Sequence, residues 1–240
     1  MIVLIIGGSS GLGQAITRRL AQEVGWTVYF TYNRSKDKAD DLLNEFLNTI
    51  SIYCDFGSKE SVAALKQKVD EIAPDVLINN AYAGSFLTTH FHKINPKSFL
   101  EEFVLNIVPT VELTQAAISS FRKRKRGKII TILTAALHNV PPAGAAMYVA
   151  NKAYLQQLSK LWASENAKFN ITSNTVSPSF MQTQFTSGID ERVVQQIRES
   201  HPNGALLKVE EVAEAVHFLA TCSTQINGID MLINGANSIR

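Results

Sequence analysis

A tyrosine and a lysine four residues apart, Tyr148 and Lys152 in Tyr148-Val149-Ala150-Asn151-Lys152, are the residues of this chain best suited to chemistry. On a helix, positions i and i+4 share a face. An ammonium beside a phenol favours the phenolate, which should draw the phenol pKa down from about 10 towards working pH. A phenol tuned in this way exchanges protons with a carbonyl or an alcohol. The spacing alone occurs on many exposed helices, so its weight comes from a second feature. The run Gly7-Gly8-Ser9-Ser10-Gly11-Leu12-Gly13 follows the apolar stretch Ile2–Ile6, and a helical pattern begins near Leu12. Glycines between a strand and a helix let the backbone approach a pyrophosphate, and the helix N-terminus offers free N–H groups and a favourable dipole. The spacing here is G-x-x-x-G-x-G, not the commoner G-x-G-x-x-G.

The elements that must position these residues alternate along the chain. Strands are expected at Ile2–Ile6, Trp26–Tyr32, Thr49–Tyr53, Asp75–Asn79, Lys128–Thr134, Ile171–Val176 and Met231–Asn234. Helices are expected from near Leu12, then at Asp37–Leu47, Ser58–Ile72, Pro96–Arg122 (bent at Pro109), Ala145–Lys168 and Glu210–Thr221. Such alternation implies an α/β fold, a parallel sheet with helices on both faces and ligand chemistry at the carboxyl ends of the strands. The polar residues of interest fall at those ends: Asp55 and Phe56 after the third strand, Asn79 to Ala81 after the fourth, Thr134 on the fifth, and Pro178, Ser179 and Thr183 after the sixth.

Composition excludes several classes. A formal net charge of +2 over 240 residues argues against a nucleic-acid partner. No apolar run approaches the roughly 20 residues of a membrane span, and the N-terminal one feeds the glycine turn instead of a signal sequence, so a cytoplasmic protein is expected. Cys54 and Cys222 are too few for a disulfide framework or a metal site, and no metal is expected. His90 and His92 fall in a loop on the substrate side, and His138, between Thr134 and Tyr148, is the histidine placed best to line a pocket. His201 and His217 read as structural.

Taken together, these motifs resemble the short-chain dehydrogenase/reductase family of the classical type, closest to its 3-oxoacyl-[acyl-carrier-protein] reductase group, over the whole chain. The family's glycine motif matches Gly7, Gly11 and Gly13, and its Asp-hydrophobic pair matches Asp55-Phe56. Its Asn-Asn-Ala motif matches Asn79-Asn80-Ala81, and its helix-four asparagine matches Asn106. Its catalytic serine position holds Thr134, and its tyrosine and lysine are Tyr148 and Lys152. The resemblance implies one doubly wound Rossmann-type domain spanning residues 1–240, with a seven-stranded, mostly parallel sheet. It places Asn106, Thr134, Tyr148 and Lys152 in catalysis. It places Gly7, Ser9, Ser10, Gly11, Leu12, Gly13, Asn33, Arg34, Ser35, Asp55, Phe56, Asn80, Ala81, Ser179, Met181 and Thr183, with Tyr148 and Lys152, against the cofactor. Asn106 is expected to order a water that links Lys152 to solvent. A homotetramer or dimer is the family's usual assembly.

Four positions depart from the family pattern. Ile6 replaces a threonine whose hydroxyl braces the glycine turn, Tyr82 replaces a glycine near the cofactor, Ser179 replaces a glycine, and Thr134 replaces serine. The interval from Thr134 to Tyr148 is also about one residue long, so a strict count puts the serine position on Ala135. Between Val24 and Lys36 there is no carboxylate to bind a ribose 2′-hydroxyl. Arg34, flanked by Asn33 and Ser35, suits a 2′-phosphate instead, which selects NADP(H).

The expected activity is therefore NADPH-dependent reduction of a ketone, including the 3-oxoacyl thioester class, with Tyr148 as proton donor. The alternatives are an oxidative alcohol or sugar dehydrogenase, and a cofactor-binding sensor without turnover. The basic run Arg122–Arg126 with Lys128 reads mainly as a solvated helix end. An acidic acyl carrier docking at Arg122–Lys128 is the other reading.

Overall fold

The structure is a computed structural model that describes residues 1–237. Seven strands form one sheet: β1 (Ile2–Ile6), β2 (Thr27–Tyr32), β3 (Thr49–Tyr53), β4 (Val76–Asn79), β5 (Gly127–Ile132), β6 (Ile171–Pro178) and β7 (Asp230–Ile233). Their order is β3-β2-β1-β4-β5-β6-β7, and every neighbouring pair is parallel. The strand order reverses between β1 and β4, so their carboxyl ends open a crevice. The helices are α1 (Gly11–Ala21), α2 (Lys36–Glu45), α3 (Lys59–Ile72), α4 (Pro96–Arg124), α5 (Ala146–Asn166), α6 (Glu191–Ser200) and α7 (Val209–Thr221).

Strand alternation divides the interior into two cores. Val3 and Ile5 of β1 face a cluster with Ile16 and Leu20 of α1, Leu42 of α2 and Val216 of α7. Leu4 and Ile6 face the other side, with Leu65 of α3, Ile107 and Leu113 of α4, and Leu155 and Trp162 of α5. A strand buried on both faces must read as an unbroken apolar run, which is how β1 and β4 read in the sequence.

Most element boundaries fall within two residues of expectation. Helix α2 stops at Glu45 because Phe46 turns to extended backbone. Ser58 caps α3 instead of lying within it, its hydroxyl accepting from the Ser61 N–H at 3.1 Å. Helix α4 runs without a break through the buried Pro109 to Arg124. Helix α6 is absent from the sequence reading. Only Val194 of its residues is buried, so the apolar periodicity is too thin to see. Its signal is the cap, where Asp190 accepts from the Arg192 N–H at 2.8 Å and Glu191 follows.

The basic run lies where α4 meets the amino end of β5, at the sheet edge opposite the crevice. Arg122 donates to Asn166 Oδ1 at 2.7 Å and stacks over Phe169. Arg124 pairs with Asp75 at 3.0 Å, and Arg126 lies 3.5 Å from the same carboxylate. Lys128 donates to the Cys222 carbonyl at 2.6 Å, holding the end of α7. Arg122, Arg124, Arg126 and Lys128 thus have partners within the chain, while Arg122, Lys123, Lys125 and Arg126 remain exposed. These contacts suit the helix-end reading.

Gly127 opens β5 beneath the fully buried Phe121. A Cβ at this position would lie 2.2 Å from that ring. Gly127→Ala should therefore destabilise the fold by about 1–3 kcal/mol through overpacking. A urea midpoint unchanged from wild type would show that the ring has room to move.

Candidate active site

The glycine turn is built by close approach. Gly7 and Gly11 have φ of +78° and +53°, in the left-handed region. A Cβ on Gly13 would lie 1.9 Å from the Gly7 carbonyl oxygen. Asn80 donates to that same oxygen at 2.7 Å, tying the end of β4 to the turn. The brace missing at Ile6 comes from elsewhere. Thr31 of β2 accepts from the Gly7 N–H at 2.7 Å, and Thr17 of α1 donates to the carbonyls of Gly8 and Gly13, both at 2.9 Å. Ser10 begins α1 without a side-chain cap, and no acidic residue occupies the first turn, so the helix N-terminus presents its N–H groups and positive dipole end to an anion.

This turn borders a cleft of about 1230 Å³ that runs along the carboxyl edge of the sheet. Every cofactor-side residue expected from the sequence borders it, and so do Thr134, Tyr148 and Lys152. Asn106 does not. At one end, Asp55 accepts from Asn33 at 3.2 Å and from the Gly57 N–H at 2.9 Å. Arg34 is exposed there and has no carboxylate partner among the described residues. Across the mouth, Lys38 donates to Gln184 at 3.2 Å. Thr183 overhangs the turn, its Cβ 3.5 Å from where a Gly11 Cβ would stand.

At the other end, Thr134 closes β5 and caps a short 3-10 turn over Ala135–Leu137, its hydroxyl accepting from the Ala136 N–H at 3.2 Å. The Thr134 hydroxyl acts on Tyr148 through a side-chain hydrogen bond that opposes the rise in its pKa, whereas Ala135 has no hydroxyl to offer. Lys152 is 3% exposed and donates to the Ile132 carbonyl at 2.7 Å. Its ammonium lies 5.7 Å from the centre of the Tyr148 ring. The expected fall in the Tyr148 pKa does not occur in the chain by itself. Burial pushes Tyr148 up to about 12, against the opposing Thr134 bond, and burial brings Lys152 down to about 8. Desolvation penalises the charged form of each, and at this separation their attraction does not repay it.

A family model described as "Enoyl-(Acyl carrier protein) reductase" matches residues 7–235. The acetoacetyl-CoA reductase of Paracoccus denitrificans is 33% identical over 92% of this chain and 90% of its own length. A 3-oxoacyl-[acyl-carrier-protein] reductase of Aquifex aeolicus is 28% identical over 98% and 96%. Among solved structures, a short chain dehydrogenase/reductase family protein superposes with a TM-score of 0.86 at 28% identity, covering 98% of this chain and 96% of its own. A 3-ketoacyl-(acyl-carrier-protein) reductase from Brucella melitensis, complexed with NADH, superposes with a TM-score of 0.86 at 25% identity, covering 99% and 98%. The chain belongs to the short-chain dehydrogenase/reductase family. It is an oxidoreductase with the family's Rossmann-type fold, on the 3-oxoacyl-[acyl-carrier-protein] reductase side of that family.

As a short-chain dehydrogenase/reductase it has an unusual substrate end. Tyr82 lies edge-on to Tyr148 at 5.0 Å between ring centres, with Lys152 5.3 Å from the Tyr82 ring centre. The Tyr82 hydroxyl donates to Glu102 at 3.2 Å and accepts from Asn151 at 3.4 Å. Asn106 Nδ2 reaches the same Glu102 oxygen at 3.0 Å and the Ala83 carbonyl at 3.0 Å, while Asn106 Oδ1 accepts from the Ala83 N–H at 2.7 Å. Asn106 thus holds the segment after β4, and no bond joins it to Lys152. Burial raises the pKa of Glu102 and of Tyr82, so both lean to their neutral forms.

The histidines fall differently from expectation. His138 does not border the cleft. Its Nε2 lies 2.6 Å from Asp230 at the start of β7, a carboxylate that also accepts from Thr175, Ser177 and Gln156. This pairing pins the turn that carries Thr134 to the edge of the sheet. His201, expected to be structural, borders the cleft, packed against Gly235. His90 and His92 are exposed and lie outside the cleft lining. Among the described residues no cluster could hold a metal, and no helix is long and apolar enough to cross a membrane.

The buried lysine has a measurable signature. Its ordinary pKa of 10.5 applies when unfolded, against about 8 when folded. Between those values the unfolded chain holds more protons, so stability must rise with pH. Above about pH 10, Tyr148 opposes this, because its raised folded pKa costs stability as the unfolded phenol ionises. Cofactor-free wild type should therefore gain about 2 kcal/mol between pH 8 and 10 relative to Lys152→Met. A constant difference across urea titrations in that window would mean that Lys152 stays fully charged in the fold.

Proposed function

We propose that this chain is an NADPH-dependent carbonyl reductase that converts a ketone to an alcohol, with Tyr148 as the proton donor. The observation that carries the reading is the meeting, on one cleft, of a glycine cradle and a Tyr148 hydroxyl bonded to Thr134. The absence of room for a side chain at Gly7 and Gly13 is what the tight turn and the close helix–strand packing of a dinucleotide-binding unit require. The relatives named for reduction of acetoacetyl-CoA and 3-oxoacyl carriers support the carbonyl class, and make 3-oxoacyl thioesters its reference substrates.

In this reading the glycine turn and the first turn of α1 hold the pyrophosphate, and Asp55 and Phe56 flank the adenine. Ser179, Met181 and Thr183 flank the nicotinamide, which supplies a hydride when bound. Thr134 donates to the substrate carbonyl oxygen and fixes its direction. As the carbonyl carbon accepts the hydride, its oxygen takes the Tyr148 proton, completing the alcohol. A phenol pushed up to about 12 is fully protonated at neutral pH and so is ready to donate. The tyrosinate left behind faces Lys152, whose pKa of about 8 keeps it mostly charged at pH 7. Asn106 acts as a positioning residue through Ala83 and Glu102. Tyr148→Phe should keep cofactor affinity and lose about 10²–10⁴ in kcat. Retention of most activity would refute the assigned proton donor.

Selection of NADPH rests on Arg34. It is unpaired, the Asp55 carboxylate is occupied by Asn33 and Gly57, and β2 ends without an acid. An arginine free of local partners can pair with a 2′-phosphate. Wild type should bind NADPH more tightly than NADH, and Arg34→Asp should reverse the order. Tighter binding of NADH by wild type in fluorescence titrations would overturn the assignment.

A homotetramer belongs to the same proposal. Leu100, Val104 and Val108 of α4, with Tyr154 and Leu161 of α5, are exposed apolar residues on adjoining helices, and Phe218 of α7 with Ile229 is a second exposed apolar pair. Two self-complementary faces generate dihedral symmetry. Light scattering at micromolar concentration should give four times the 26.4 kDa chain mass. A monomer under those conditions would exclude it.

A further inference from the structure

We propose that the substrate is an uncharged carbonyl compound with a flat, conjugated or aryl group on the reacting carbon, gripped by Tyr82, Phe86 and Phe185. The inference deepens the carbonyl-reductase reading and rests on it.

Three rings from two separate loops converge on the proton donor. Phe86, after β4, stands 5.2 Å from Tyr148 with an interplanar angle of 80°. Phe185, after β6, stands 5.7 Å from Tyr148, tilted at 45°, and 6.2 Å from Phe86. Tyr82 completes the group at 5.0 Å from Tyr148 and 5.8 Å from Phe185. A carbonyl oxygen that bonds both Tyr148 and Thr134 brings its substituents against these rings. Aromatic pairs favour edge-to-face and offset contacts at centroid distances of 4.5–7 Å. A flat π-system entering the group exchanges one set of ring contacts for another, whereas a saturated ring of the same skeleton loses them.

One wall is fixed. The Tyr82 hydroxyl is held by Glu102 and Asn151, and Glu102 is held by Asn106. The other two rings carry no polar atom and stand on loops, Phe86 from one side of the cleft and Phe185 from the other. Charge supplies the second argument. The charged side chains on the cleft lining are Arg34, Asp55 and Lys152. Arg34 and Asp55 sit at the end away from Tyr148, and Lys152 is buried beneath the Tyr82 and Tyr148 rings. The lining also carries the apolar Leu87, Val140, Ile189 and Ile197, with Asn139, Ser200 and His201 as polar neighbours. No lysine or arginine other than Lys152 and Arg34 borders the cleft, so a carboxylate beside the reacting carbonyl would be desolvated with no exposed lysine or arginine close by to meet it.

The test measures binding without turnover. Acetophenone, cyclohexyl methyl ketone and phenylglyoxylate are titrated by ligand-observed NMR into wild type, Phe86→Leu and Phe185→Leu, each with and without saturating NADP⁺. Melting curves verify that the variants fold. Wild type should bind acetophenone about 2- to 10-fold more tightly than its saturated counterpart, and phenylglyoxylate more weakly than acetophenone. In at least one leucine variant the aryl preference should fall towards one. Equal or reversed affinities in wild type, a preference unmoved in both variants, or phenylglyoxylate binding as tightly as acetophenone would each overturn the clamp. A separate NADPH-oxidation assay with acetoacetyl-CoA, acetophenone and cyclohexyl methyl ketone tests the reductase reading. Turnover of the saturated ketone as efficiently as the aryl one, with an aryl preference absent from binding, removes the clamp alone. No turnover of any of the three, with no NADPH binding, removes the reductase.

Discussion

Helix α1 can start where it does only because nothing larger than hydrogen stands between Gly13 and the carbonyl oxygen of Gly7, where a Cβ would come within 1.9 Å. That contact fixes the distance between β1 and α1, and with it the position of the helix N-terminus over the crevice. The end of β4 is bound to the same oxygen through Asn80. A Cβ on Gly7 would meet Ala81 at 2.8 Å, so β4 is pressed against the turn from the other side. The glycine turn and the start of the loop after β4 are therefore one packed unit. The loop carrying Tyr82 leaves this unit directly and can only run along the cleft towards α5. Threonines at 17 and 31 hold the turn in place of a hydroxyl at position 6, so the same geometry is reached with a different set of bonds.

The opposite constraint governs the reacting end. Tyr148 and Lys152 share a helix face, as their spacing requires, but the surrounding rings and strand ends remove water from both. Each is consequently held towards its neutral form, the phenol up and the ammonium down. Proximity of opposite charges and desolvation act against each other, and at these separations desolvation wins. For a proton donor this is useful, because the proton is retained until a developing negative charge on the substrate oxygen changes the balance. In the proposed reaction the protein provides position, a hydroxyl and a buried lysine still mostly charged at pH 7, arranged before the substrate charge appears.

What could be read from sequence was what is local. The strand runs, the glycine turn, and the Tyr148–Lys152 and Asn79–Ala81 motifs each lie within a few residues, and backbone periodicity fixes their mutual geometry. The parallel sheet with helices on both faces followed from alternation and handedness. Features that depend on distant partners were not legible. His138 is spaced to enter the pocket, yet it turns to Asp230, 92 residues away. The basic run reads as a helix end, but its contacts with Asp75, Asn166 and the end of α7 could not be seen, because these partners are remote in sequence. The 3-10 turn after β5, capped by Thr134, is likewise invisible in the residue count from Thr134 to Tyr148. Helix α6 escaped notice because a helix lying on a surface over a loop needs few apolar residues.

Four residues around Tyr148, namely Tyr82, Gly84, Glu102 and Asn106, form a set whose members depend on one another. A tyrosine after Asn79-Asn80-Ala81 brings a hydroxyl into a half-buried place where an unpaired polar group costs about 1–3 kcal/mol. Glu102, one helical turn before Asn106, supplies the acceptor. That carboxyl needs space and a second donor. Asn106 gives the donor, and Gly84 gives the space, since a Cβ there would lie 2.7 Å from a Glu102 oxygen and its φ of +108° excludes most side chains in any case. Replacing Tyr82 alone would leave Glu102 partly desolvated with one partner fewer, and replacing Glu102 alone would strand the Tyr82 hydroxyl. The pocket wall is therefore an integral part of the loop's folding and not an ornament added to a fixed scaffold. Its shape changes at low cost only when the four positions change together.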